Sequence, residues 1–120
     1  MPARAPVGKL AVVVEGPTDT LACWYALSGH RDVTVVGRPD ARSVRHELWK
    51  YLGRFERVLI IADNDPVGFM GARELARTLL VPRRVVWFDD VKDAREFLRK
   101  NGAAELRNWI MKQARWASLA

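Results

Sequence analysis

Two five-residue runs, Leu10-Ala11-Val12-Val13-Val14 and Val58-Leu59-Ile60-Ile61-Ala62, contain no polar residue and each is followed by an acid. A strand with one solvated face alternates apolar and polar residues. A strand buried on both faces reads as an unbroken apolar run. These runs therefore belong inside a parallel sheet covered by helices on both sides. Strands are expected at 10–14, 33–36, 57–62 and 84–88. Helices are expected at 18–28, 41–52, 67–80, 93–101 and 103–116. The βαβαβαβα order predicts a three-layer α/β/α sandwich with a four-stranded parallel sheet. Strand order 2-1-3-4 is expected, because it sets the two acidic strand ends side by side.

Helix punctuation agrees with this division. Ser28-Gly29 and Gly53 follow the first two helices, and Pro82 stops the third. Pro17 and Pro66 fall near first helical turns, where a missing N–H costs nothing. Asn101-Gly102 separates the last two helices. With 120 residues the chain has the length of one domain. Residues 1–8 read as a flexible basic, Pro-rich tail, and 9–120 as one domain closing on helix 103–116.

No apolar stretch approaches the ~18 residues of a membrane span, and no signal-type segment follows Met1. Cys23 is the one cysteine, so an intrachain disulfide and a cysteine zinc site are both excluded. A cytoplasmic location fits, with no membrane partner. Cys23 reads as a small core residue, and Trp24, Trp49 and Trp87 fall in elements facing a core. The last helix carries an apolar stripe at Leu106, Trp109, Ile110 and Trp116-Ala117, broken by Gln113. That stripe either docks on the sheet or meets a partner protein.

Charge directs attention to the acids. The chain carries a formal +6. His30 to Arg57 holds seven basic residues against four acidic, and Arg83 to Ala120 nine against five. The acidic clusters Glu15-Gly16-Pro17-Thr18-Asp19 and Asp63-Asn64-Asp65-Pro66-Val67-Gly68 lie outside both stretches. A basic surface around an acidic pocket suits metal-dependent handling of nucleic acid, although an Arg-rich surface also arises without a partner.

Each acidic cluster taken singly has a structural account: Asp caps helices and Asp-Asn-Asp-Pro forms turns. Together, at matching strand ends, they point to a site. Open parallel sheets bind ligands at that edge. Asp63 and Asp65 are two apart and leave an extended backbone on the same side. Two like charges ~4 Å apart repel by ~4 kcal/mol at an effective dielectric of ~20. A hard cation with oxygen ligands such as Mg²⁺ removes that repulsion, and Mn²⁺ is a possible substitute. Glu15, Asp19, Asp63 and Asp65 are more acids than one ion needs, which leaves some to hold a second ion or one to serve proton transfer. Arg38 and Lys92 follow the second and fourth strands on the same edge. They are expected to contact phosphate, with Arg42 and Arg45 extending the track. The alternative is a set of exposed surface cations.

Glu15-Gly16-x-x-Asp19 after one apolar strand and Asp63-x-Asp65-x-x-Gly68 after another resemble the Toprim domain over residues ~10 to ~100. That family includes bacterial-type primases, primase-helicases, type IA and type II topoisomerases, recombination mediators and several nucleases. The resemblance implies Glu15 in proton transfer or metal contact, Asp63 and Asp65 as Mg²⁺ ligands, and Asp19 as the acid of the primase-like branch. Lys92-Asp93-Ala94-Arg95-Glu96-Phe97-Leu98 resembles a segment of primase-helicases, with Arg95 in place of Asn. Gly37-Arg38-Pro39 replaces the Gly-Thr or Gly-Gly loop common in primases.

The resemblance implies a stand-alone, primase-like Toprim domain carrying out Mg²⁺-dependent phosphoryl transfer or phosphodiester cleavage on DNA or RNA. The alternative it leaves is a non-catalytic, metal-assisted binding or assembly module of a replication or repair complex, with helix 103–116 as the contact. Primases of this type also carry a zinc module, a basic segment and a helicase contact, for which the chain has no room. Primer synthesis is therefore expected to need another chain. Topoisomerase activity is not expected without a tyrosine-bearing domain.

Overall fold

The computed structural model describes residues 8–38 and 45–115, with side chains from position 48 onward in the second segment. Its elements run β1 (Gly8–Glu15), α1 (Pro17–Ala26), β2 (Val33–Arg38), α2 (Arg45–Leu52), β3 (Phe55–Ile61), α3 (Pro66–Thr78), β4 (Arg83–Val86), α4 (Ala94–Asn101) and α5 (Ala103–Ala114). All pairings are parallel and the sheet order is β2-β1-β3-β4, as the strand pattern predicts.

Successive β1 side chains enter opposite layers, because a strand alternates its faces. Leu10, Val12 and Val14 join Leu59 and Ile61 in a core with Ala22, Cys23, Leu106 and Ile110. Ala11 and Val13 join Val58 and Ile60 in a second core with Leu52, Ala72 and Leu75. Helices α1, α4 and α5 therefore cover one face, and α2 and α3 the other. The chain moves from β1 outward to β2, returns to β3, and then continues the other way to β4. Right-handed crossovers in opposite directions put α1 and α3 on opposite faces. The reversal lies between β1 and β3, where a crevice opens at the carboxyl edge.

Three sequence expectations are refined. Strand β4 ends at Val86 rather than at residue 88. Phe88 instead turns into the first core and stacks on Trp109 and Phe97, with ring centroids 4.1 and 4.8 Å apart. Those ring contacts offset the lost sheet pairing. Trp24 is 63% exposed on α1, with Leu21 and Tyr25 beside it at helical spacing, and Trp87 is also exposed. A core role does not fit Trp24, because α1 buries its opposite face through Ala22, Cys23 and Ala26, and Trp87 meets Phe69 edge-to-face while staying half-exposed. The α5 stripe docks through buried Leu106, Ile110 and Ala114. Trp116 lies outside the described residues, as does Arg42.

Candidate metal centre at the carboxyl edge

Three strand-to-helix connections deliver acids to the crevice. Asp19 lies in the first turn of α1 and is only 6% exposed, the one buried charged residue among those described. Its Oδ1 accepts the Arg95 backbone N–H at 3.0 Å, which ties α1 to α4. Asp63 follows β3. Its backbone is pressed against α3, where a Cβ at Gly68 would come within 2.5 Å of the Asp63 carbonyl oxygen. Asp93 caps α4, accepting the Glu96 N–H at 2.9 Å. The Glu96 carboxylate in turn accepts the Lys92 N–H at 3.0 Å, a close variant of the capping box.

These elements bring one carboxylate oxygen each from Asp19, Asp63 and Asp93 within 4.8 Å of one another. Asn64 clamps the loops that carry two of them. Its backbone N–H donates to the Lys92 carbonyl at 2.7 Å and its side-chain amide to the Phe88 carbonyl at 2.8 Å.

Burial and crowding disfavour the charged forms of these acids. Burial pushes the Asp63 carboxyl up to about 7, and Asp19, Glu15, Asp93 and Asp65 all push the same way. Burial likewise raises Asp19 to about 6, partly opposed by the Arg95 N–H. The donor set is all hard carboxylate oxygen, which fits a divalent ion of the Mg²⁺ or Mn²⁺ type. The Cys23 thiol, raised by burial to about 12, is inert beside it.

The other residues singled out in the sequence take different places. Glu15 ends β1 and is the register partner of Arg38 at the end of β2. Their side chains form an ion pair. The Arg38 side chain is only 12% exposed and lies against α3, where a Cβ at Gly71 would overlap its guanidinium. Asp65 caps α3, accepting the Gly68 N–H at 2.6 Å, and its other oxygen is 3.8 Å from Lys92 Nζ. Lys92 is exposed at the expected edge. Arg45 opens α2, and its side chain lies outside the described residues.

Asp93 is the member that residue-by-residue reasoning passed over. Its signal was available: an acid at a helix start beyond the fourth strand, on the same sheet edge as the others.

A parallel sheet with an acidic cluster at its switch point defines the class as a doubly wound α/β domain with a ligand-type crevice at its carboxyl edge. A family described as Toprim-like matches residues 12–98, and the chain belongs to that family. Comparison with curated proteins finds no match.

Among solved structures, one similar chain comes from the bacteriophage T7 lagging-strand DNA polymerase with primase domains of two gp4 subunits, an RNA/DNA hybrid and dTTP. It is 27% identical, with a TM-score of 0.67, covering 88% of this chain and 53% of that one. The primase fragment of the bacteriophage T7 primase-helicase is 25% identical, with a TM-score of 0.65, covering 89% and 44%. The DnaG primase catalytic domain bound to single-stranded DNA shares the fold at 22% identity and a TM-score of 0.64, covering 88% and 33%. The chain thus spans about half or less of the chains it resembles. Among the described residues no helix is long and apolar enough to cross a membrane.

Proposed function

We propose that the carboxyl-edge centre holds Mg²⁺, or Mn²⁺ in its place, for phosphoryl transfer or phosphodiester cleavage on DNA or RNA. The observation that carries this reading is the convergence of Asp19, Asp63 and Asp93 within 4.8 Å, with Asp63 pushed up to about 7. Burial and mutual repulsion both disfavour the charged carboxylates, and a bound divalent cation offsets both. Asp63, Asp19 and Asp93 would hold the ion, with Asp65 and Glu15 at its margin. When bound, the ion supplies positive charge to a phosphate and its leaving oxygen.

The chain's own groups do the rest. Glu15 accepts a proton from the attacking hydroxyl or water at its carboxylate, and Arg38 orients that carboxylate through the ion pair. Lys92 offers an exposed ammonium to phosphate at the same edge, and we assign Arg42 and Arg45 to the same phosphate-binding role. We place the protein in the cytoplasm, with a replication or repair partner meeting the end of α5.

A second reading is favoured by one contact. Arg38 engages the Glu15 carboxylate, which would then be withheld from proton transfer. On that reading the domain docks nucleic acid through its metal without turning it over.

One experiment separates the readings. Single-stranded and structured DNA and RNA are incubated with the protein in Mg²⁺, Mn²⁺ or EDTA, beside Glu15→Gln and Asp63→Asn. Metal-dependent cleavage lost in both variants supports the enzyme. Metal-dependent binding without turnover supports the docking module. Absence of Mn²⁺ binding by the wild type would sink both.

A further inference from the structure

Helix α4 has two unlike faces. Buried Ala94 and half-buried Phe97 and Leu98 pack into the first core, Phe97 stacking on Phe88. Arg95, Glu96, Arg99 and Lys100 stand on the exposed side. With Asp93 they line an open cleft of about 460 Å³.

Three observations give this cleft a direction and a charge. Asp93 belongs both to the cleft and to the acid cluster, so the two are continuous. The Arg95 backbone is hydrogen-bonded to Asp19 at 3.0 Å, so the first cation of the track is fixed to the centre. Arg95 and Arg99 are four residues apart, which aligns them on one face with a rise of about 6 Å between them. That interval is comparable with the spacing of successive phosphates along an extended strand.

The carboxylates in the cleft are largely occupied. Asp93 takes the Glu96 N–H, and Glu96 takes the Lys92 N–H. Neither Arg95 nor Arg99 is in an ion pair among the described residues. Lys100 meets Asp90 at 3.5 Å, but that pair is exposed on both sides and costs little to exchange. Guanidinium groups outside ion pairs, Arg95 with only a through-space attraction to Asp19, match the two oxygens of a phosphodiester.

We propose that the α4 cleft binds the phosphate backbone of single-stranded nucleic acid, with Arg95 and Arg99 as its principal contacts, and leads that strand to the acid cluster. The inference rests on the metal-centre reading for its destination, while the binding itself is independent of catalysis. It moves the phosphate track from the β2–α2 side, where Arg38 is engaged by Glu15, to the opposite side of the centre.

The test uses the full chain and a fluorescein-labelled oligothymidylate, with affinity followed against salt. Arg95→Ala/Arg99→Ala should flatten the slope of log K against log salt by about 1.4, since each neutralised phosphate of a single strand contributes about 0.7. That corresponds to a roughly 20-fold loss at ~0.1 M salt. Arg54→Ala/Arg83→Ala, with both exposed side chains at the amino edge of the sheet, should leave the slope unchanged.

Mn²⁺ binding, measured by calorimetry on the same proteins, should survive Arg95→Ala/Arg99→Ala and be lost in Asp63→Asn. A wild-type slope in the α4 variant, an equal loss in the amino-edge variant, or no strand binding by the wild type overturns the proposal, while Mn²⁺ binding leaves the metal reading standing. If Asp63→Asn still binds Mn²⁺, the metal reading falls and the salt slope still decides the cleft.

Discussion

Arg38 and Glu15 close adjacent parallel strands at the same register level, and the guanidinium of one is ion-paired with the carboxylate of the other. The pair is half-sheltered, and its geometry depends on the missing side chain at Gly71. A methyl there would displace the flexible end of Arg38 rather than the helix backbone. Gly71→Ala is expected to cost about 1 kcal/mol or less, since relief of helical glycine entropy offsets the displacement. In an Arg38→Ala background the same substitution should become stabilising. A denaturant-based double-mutant cycle checks this: a coupling energy near zero would refute the contact.

Gly68→Ala should behave differently. A Cβ there meets the Asp63 backbone, which cannot swing aside. Ordinarily Gly→Ala inside a helix stabilises by about 1 kcal/mol. At this position overpacking should reverse the sign, with a net loss of about 1–3 kcal/mol. Chemical denaturation gives the stability, and Mn²⁺ calorimetry should show weakened binding as Asp63 shifts.

Stability should fall as pH rises when no divalent ion is present. Asp63 at about 7 and Asp19 at about 6 both lie above the ordinary carboxylate value of 3.8. Between pH ~4 and ~7 the folded chain therefore holds more protons than the unfolded one, and stability declines through that window. Each unit is worth ~1.4 kcal/mol. With allowance for solvent screening, Asp63 alone should account for a loss on the order of 2 kcal/mol. Thermal melts in EDTA from pH 5 to 8 check the direction. Excess Mg²⁺ should restore the melting temperature at pH 8, and Asp63→Asn should flatten the dependence. A melting temperature that climbs across this range in EDTA would contradict the assignment.

Asn64→Ala removes the side-chain bond to the Phe88 carbonyl and leaves the backbone bond to Lys92 in place. A stability loss of about 1–2 kcal/mol is expected from one orphaned carbonyl. The more telling readout is Mn²⁺ affinity, which should drop several-fold as the loops carrying Asp63 and Asp93 loosen. Equal Mn²⁺ affinity in variant and wild type would show that this clamp does not position the acids.

The sheet was legible because both of its central strands are unbroken apolar runs, and their ends are marked by Glu15 and Asp63. Strand order followed from requiring those ends to be neighbours. The set of acids that meet was only partly legible. Asp19 and Asp63 converge, but Asp65 spends one oxygen on the α3 cap and Glu15 faces Arg38. Which carboxylate oxygen turns inward is decided by caps and ion pairs, and spacing along the chain does not encode those. Asp93 joins because the Asn64 clamp draws its loop inward, a contact between positions far apart in sequence. Trp24 misled because helical periodicity marks an apolar face, whereas α1 buries its small residues Ala22, Cys23 and Ala26 and leaves the large ones, Leu21, Trp24 and Tyr25, exposed.

The hydrogen bond from Arg95 to Asp19 spans 76 positions of the chain. Its consequence concerns the order of assembly. Strand β1 emerges early in synthesis yet lies between two neighbours, and the third member of the acid cluster emerges only after all four strands. Contacts so distant are slow to form and close last. The centre therefore cannot exist on a half-made chain. High-affinity capture of a divalent ion would report that folding has run to completion, and nascent chains would stay chemically silent until α4 has docked.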